Sequence, residues 1–168
     1  MIIRAENESD IDAIFEITKQ AFENHPFSQN TEQYIINVLR KDGALTLSLV
    51  AEIDDKVVGH IAFSPVTISD GRGDWYVLGP VSVKPELQRQ GIGQVLIWEG
   101  LSQLKSLGAN GCVLVGPPEY YNRFGFKSHP DIVMIGIPQD FVLSLLFHGK
   151  MAKGSIIHHH AFSVINEE

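Results

Sequence analysis

Apolar and polar positions change period twice along the chain. Residues 2–4, Ile2-Ile3-Arg4, predict a short first strand. Beyond Ser9, read as a helix N-cap, Ile11, Ile14, Phe15 and Phe22, with the mixed Thr18, fall on one helical face. A second helix is predicted from Asn30, with Gln33 as its capping-box partner, Tyr34, Ile35, Val38 and Leu39 as its apolar positions and Gly43 as its stop. The polar loop between these helices, residues 24–29, carries His25, Pro26 and an exposed aromatic, Phe27.

From residue 45 the period drops to two. Residues 45–53 and 57–68 flank Asp54-Asp55-Lys56 and read as a β-hairpin. A turn over residues 69–74 leads to a third antiparallel strand over 75–83. Gly79-Pro80 lies inside that strand, and because proline cannot donate to a ladder, a bulge or an edge is expected there. The pattern then becomes strand, loop, helix, strand. The loop spans 84–90, and the helix spans about 91–107 with Val95, Leu96, Ile97, Trp98, Leu101, Leu104 and Leu107 as its apolar residues. Gly108 stops it, and a buried strand follows over 111–116.

Pro117-Pro118 opens a short helix that ends at Gly125. Two further strands are predicted over 132–137 and 156–165, the second containing His158-His159-His160; residues 140–148 fit helix or strand. No repeat, linker or low-complexity tract interrupts the 168 residues, so the expectation is one α+β domain over 1–168.

Composition narrows the function classes. A chain that is 44% hydrophobic and 20% charged is an ordinary globular protein rather than a disordered one. Its net charge of −7 argues against a nucleic-acid binder, which needs clustered Lys and Arg. The charge is unevenly placed: residues 1–60 carry a net −6, residues 61–130 a net +1 and residues 131–168 a net −2. The single Cys112 excludes an internal disulfide or a CxxC metal site, and is read as a buried thiol in a reducing compartment. No signal peptide or membrane-length apolar run is seen, so a cytoplasmic location without membrane contact is expected.

The chemistry concentrates in Gln88-Arg89-Gln90-Gly91-Ile92-Gly93-Gln94, between a strand and a long helix. Gly91 and Gly93 let backbone amides crowd an anion, the helix start favours negative charge, and Arg89 adds a positive one. A Gly-x-Gly also marks a plain tight turn. Of the known phosphate cradles, the dinucleotide fingerprint fails because Leu96 stands at its third glycine, and the P-loop fails for want of Gly-Lys-Ser/Thr. The pattern (Gln/Arg)-x-x-Gly-x-(Gly/Ala), which binds the pyrophosphate of coenzyme A, is filled by Gln88, Gly91 and Gly93.

On these residues the chain resembles the GNAT superfamily of N-acetyltransferases, closest to its small bacterial members. The resemblance covers nearly the whole chain and is strongest from Gly79 to Phe126, including Tyr120-Tyr121-Asn122-Arg123-Phe124-Gly125-Phe126; the triple histidine departs from the single His usual before Ala-Phe. It implies a mixed sheet of about seven strands, splayed between the fourth and fifth and flanked by about four helices. It further implies acetyl-CoA as co-substrate without a metal, and N-acetyl transfer to a small-molecule or peptide amine by direct attack in a ternary complex, with a homodimer left open. Backbone groups of Val81, Ser82 and Val83 would pair with the pantetheine arm, and the amides of Arg89, Gln90, Gly91, Ile92, Gly93 and Gln94, with Gln88, would hold the pyrophosphate.

Tyr121, four residues before Gly125, matches the family tyrosine that protonates the departing thiolate; packing beneath the short helix is its other reading. No carboxylate occupies the strand over 75–83, so Glu52, His60 and His25 are the candidate bases, each also readable as a solvated residue, and none is assigned. His158 and His160 would share a strand face, but no nearby carboxylate or thiol completes a metal site. Ser82 lacks a nucleophile-elbow context, and Trp98 and Phe124 read as core. A non-catalytic acyl-CoA-binding module and an O-acyl or longer-chain acyltransferase remain the alternatives.

Overall fold

The computed structural model describes residues 1–26 and 28–163. β1 (Ile2–Ala5), β2 (Leu47–Ile53), β3 (Lys56–Ile68) and β4 (Trp75–Val83) run antiparallel in chain order. Asp54 and Asp55 both take positive φ, 51° and 64°, so the β2–β3 connection is a two-residue turn whose hand suits the strand twist. β4 pairs in parallel with β5 (Gly111–Val115). Beyond β5 the sheet continues antiparallel through β8 (Val142–Leu146) to β6 (Lys127–Ser128). Those seven strands lie on one path; β9 (Gly154–His158) pairs with the far end of β3, and β7 (Ile132–Val133) pairs with β9.

Helices cover both faces. Because side chains alternate along β2, Leu49 and Ala51 meet α3 (Ile92–Ser106), whereas Val50 meets α1 (Ile11–Phe22) and α2 (Glu32–Lys41). Under α3 the core contains Ile61, Phe63, Leu96, Ile97, Leu104 and Phe126, and Gly100 leaves the space that the Phe63 ring fills. α4 (Pro118–Tyr121) and a 3-10 turn over Asn122–Phe124 follow β5, stopped by Gly125 at φ 97°.

Several local expectations are corrected. Asn7, not Ser9, makes the first cap, forming a reciprocal box with Asp10 before α1. Thr31, not Asn30, is the N-cap of α2; Asn30 takes φ 60°, and Gln33 reaches back to the Asn30 carbonyl at 3.2 Å. The strand expected over 132–137 is only Ile132–Val133. Of the segment 156–165, the strand ends at His158 and a 3-10 turn spans His160–Ser163, so His158 and His160 share no strand face; Val164 and Ile165 lie outside the described residues, as does Phe27. Within residues 140–148, Val142–Leu146 form β8, entered from a 3-10 turn over Gln139–Phe141. Phe124 is core but Trp98 is 52% exposed, edge-on to Phe124. Cys112 is buried as expected, and burial pushes its thiol up.

Candidate functional site

The bulge forecast at Gly79-Pro80 is present. Ile61 faces Val81 and Phe63 faces Leu78, so Gly79 and Pro80 together oppose Ala62. Gly79 takes φ 141°, a region side chains avoid. On its other edge β4 pairs with β5 only through Trp75, Tyr76 and Val77. Past the bulge β5 keeps its partner β8 while β4 turns away, and a cleft opens between them.

Strand alternation fixes which groups face that cleft. The Lys84 amide donates to Val58 O on β3 at 2.9 Å, so with Val83 opposite Gly59 the backbone groups of Ser82 also point to β3. Those of Val81 and Val83 point the other way. Ser82 therefore offers the cleft no backbone group, and its side chain is turned to α1, where its hydroxyl meets Thr18 Oγ1 at 3.2 Å.

At the mouth of the cleft a 3-10 turn over Pro85–Leu87 leads to Gln88, whose Nε2 donates to Val83 O at 3.1 Å and ties the loop to the strand end. Arg89 and Gly91 take positive φ, 64° and 90°, and α3 begins at Ile92 with no side-chain cap and no acid in its first turn. Its leading amides, at Ile92, Gly93 and Gln94, are left for an external acceptor, with Arg89 and Gln90 exposed beside them.

Two adjacent tyrosines form the opposite wall. Tyr121 packs its ring on Gly116, where a Cβ would lie 2.6 Å from a ring carbon, and against Phe126. Burial pushes its phenol up to about 12. Tyr120 meets Tyr121 edge-on with centroids 4.9 Å apart. Tyr120 was visible in the sequence only as a member of the motif, with no role of its own.

The candidate bases separate. Glu52 is tied to Arg4 at 2.9 Å, in a cluster with Asp10. His25 lies in the loop after α1, its ring tilted against Phe22 with centroids 5.7 Å apart. His60 is fully buried on β3, contrary to a solvated reading, and burial lowers its ionisation to about 4. Arg40 pairs with Glu6 at 2.8 Å, Ser48 Oγ hydrogen-bonds Glu6 Oε1, and His60 Nε2 is 2.8 Å from Ser48 Oγ. A hydroxyl that donates to the carboxylate accepts from His60, which places the imidazole proton on Nε2 and leaves Nδ1 buried without a partner.

At the other end, His159 and His160 approach Asp42 Oδ2 at 3.4 and 2.6 Å, the one group of three metal-type side chains among the described residues. His159 Nδ1 accepts the Ala161 amide at 3.0 Å, which in a neutral ring leaves the proton on Nε2 and opposes metal ligation there. His158 instead stacks on Phe162.

A bulged strand parting from its parallel neighbour, with an uncapped helix at the mouth of the gap, defines the acetyltransferase class. The Acetyltransferase (GNAT) family model matches residues 11–126, and the chain belongs to that family. It is 36% identical over 135 residues, 79% of this chain and 78% of the other, to the uncharacterized N-acetyltransferase YhbS of Escherichia coli strain K12. The crystal structure of YhbS from Escherichia coli in complex with CoA, 30% identical, aligns with a TM-score of 0.88 over 97% of this chain and 92% of that one. A GNAT family acetyltransferase from Brucella melitensis in complex with acetyl-CoA is 46% identical, with a TM-score of 0.86 over 96% of this chain and 97% of that one. Among the described residues no helix is long and apolar enough to cross a membrane.

Proposed function

We propose that residues 1–168 form one N-acetyltransferase domain that takes acetyl-CoA in the β4–β5 cleft and passes the acetyl group directly to an amine. The observation that carries this reading is the cleft itself, where the strand edge of Val81 and Val83 runs to the uncapped start of α3. The pantetheine amides would add to that edge as a missing strand. The diphosphate would sit on the amides of Arg89 through Gln94, with Gln88 holding the loop to β4.

In the reaction, the amine nitrogen bonds to the thioester carbonyl carbon and the carbon–sulfur bond breaks. Nitrogen gives its proton to solvent, and sulfur leaves as a thiolate that takes a proton back from solvent, so the two balance. Tyr121 would donate a hydrogen bond to the departing thiolate. With its ionisation at about 12, the phenol stays protonated at neutral pH and is too weak an acid to release its proton outright. The bound cofactor supplies the activated acetyl group; these residues supply position and charge stabilisation.

The acidic bias of residues 1–60 supports a cationic amine as acceptor. Part of that acidity is already used, since Glu6 pairs with Arg40 and Asp10 and Glu52 pair with Arg4. One observation favours a second reading as a binding module without turnover: β4 carries no carboxylate to take the ammonium proton.

Calorimetric titration with acetyl-CoA, followed by a screen of amines, peptides and hydroxyl compounds for thiol release, tests both. Absence of binding at submillimolar ligand sinks the whole reading. Tight binding with no thiol release from any acceptor favours the module.

A further inference from the structure

We infer that the Tyr120 hydroxyl is a ligand for the diphosphate end of the donor, an assignment that rests on coenzyme A occupying the cleft. Gly93 is the second residue of α3, inside its uncapped first turn. A Cβ built on Gly93 would lie 3.7 Å from Tyr120 Oη and 3.8 Å from Val83 Cγ2. The phenol oxygen thus crosses from the α4 wall to where the cleft-facing edge of β4 ends and the helix amides begin.

Its ring is held from several sides. Tyr121 and Phe124 meet it edge-on at 4.9 and 5.6 Å. The Arg123 guanidinium lies 4.7 Å over its face, and Arg123 Nε donates to the Tyr120 carbonyl at 2.8 Å. Those contacts fix the ring and leave the hydroxyl without a hydrogen bond to any described residue.

A phenol is one donor beside a row of bare amide donors, with no acid in that first turn. The group that satisfies them together is an acceptor-rich anion, and in the proposed donor that is the diphosphate. Burial raises the Tyr120 ionisation, so the oxygen keeps its proton to donate. Tyr121 turns to Gly116 at the end of β5 instead. Neighbours in sequence, the two rings therefore rest on different elements, Tyr120 reaching the start of α3 and Tyr121 the end of β5.

Tyr120→Phe removes the oxygen and keeps every ring contact. Dissociation constants are measured by calorimetry for coenzyme A, and by competition for pantetheine, which lacks the diphosphate. Coenzyme A is expected to bind about tenfold more weakly to the variant, as for loss of a hydrogen bond to a charged group. Pantetheine affinity is expected to hold, and so is the unfolding midpoint without ligand. Equal coenzyme A affinity in the two proteins overturns the assignment. An equal loss for both ligands also overturns it, because the hydroxyl would then touch the arm. Failure of the unsubstituted chain to bind coenzyme A at all overturns the parent reading, and this assignment with it.

Discussion

Ser82 and Thr18 are joined through their buried hydroxyls at 3.2 Å, and this bond ties the strand beside the cleft to α1. Thr18 Oγ1 donates to the Ile14 carbonyl at 2.7 Å, so in the shared bond the Ser82 hydroxyl is the donor. Thr18→Val leaves that buried donor unmatched and is expected to destabilise the fold by about 1–3 kcal/mol. Ser82→Ala is expected to cost less, and adding it to Thr18→Val should recover part of the loss. Urea denaturation of the two single variants and the double variant measures this. Strictly additive losses would show that the hydroxyls are not coupled.

Stability is expected to fall on mild acidification. His60, buried and neutral in the fold, ionises at about 4 there against an ordinary 6.5, so the unfolded chain binds more protons between those values. The contribution is fully present above about 6.5 and is lost as pH falls toward about 4, a loss of about 3 kcal/mol. Glu6 lies below its ordinary value, because its bonds to Arg40 and Ser48 outweigh burial; Asp10 does so through its bond to Arg4. Both continue the loss at lower pH. His60→Gln should flatten the upper part of the profile, as read from thermal midpoints across pH 4–8.

Tyr121→Phe is expected to lower kcat by about 10- to 100-fold while the dissociation constant for acetyl-CoA stays nearly unchanged. Gly116→Ala should have a similar effect, since its new methyl would displace the Tyr121 ring. Thiol release with an acceptor found by screening gives kcat, and calorimetry gives binding. Unchanged turnover in both variants would confine Tyr121 to packing.

Gly91→Ala tests the helix start. At φ 90° an alanine costs about 1–2 kcal/mol of backbone strain although no neighbour obstructs its methyl. Relaxing that strain turns the first amides of α3 away from a common point. Acetyl-CoA affinity should drop several-fold, with a smaller effect on ligand-free stability, when both are measured on the same preparation.

Most of the fold was legible because period and punctuation act locally. The hairpin at Asp54-Asp55, the bulge at Gly79-Pro80 and the glycine stops of the helices are set by φ preferences that single residues carry. Caps were misread where polar residues stand close together: the local box of Asn7 with Asp10 displaced Ser9, and the positive φ of Asn30 put the start of α2 at Thr31. The histidine run leaves the strand after His158 because Ala161 and Phe162 pack on Ile35 and Leu39 of α2, a contact between distant segments that the local alternation does not encode. In the site, the loop and Tyr121 were visible as motif. The silence of Ser82 toward the cleft was not, since it depends on which neighbour strand takes which amide. Nor was the reach of Tyr120 to Gly93, a contact between α4 and α3 that no local pattern encodes.

The parting of β4 from β5 gives this sheet an edge in its interior. Outer edges are guarded by charge, brevity or twist, but on this inner edge Gln88 satisfies only the Val83 carbonyl, and the remaining groups of Val81 and Val83 are left to an occupant. A ligand that lies there as a strand is then a structural member of the sheet as well as a reactant. The folded population is linked by mass action to its supply, and the chain is best protected from heat and from strand-to-strand association when that supply is high.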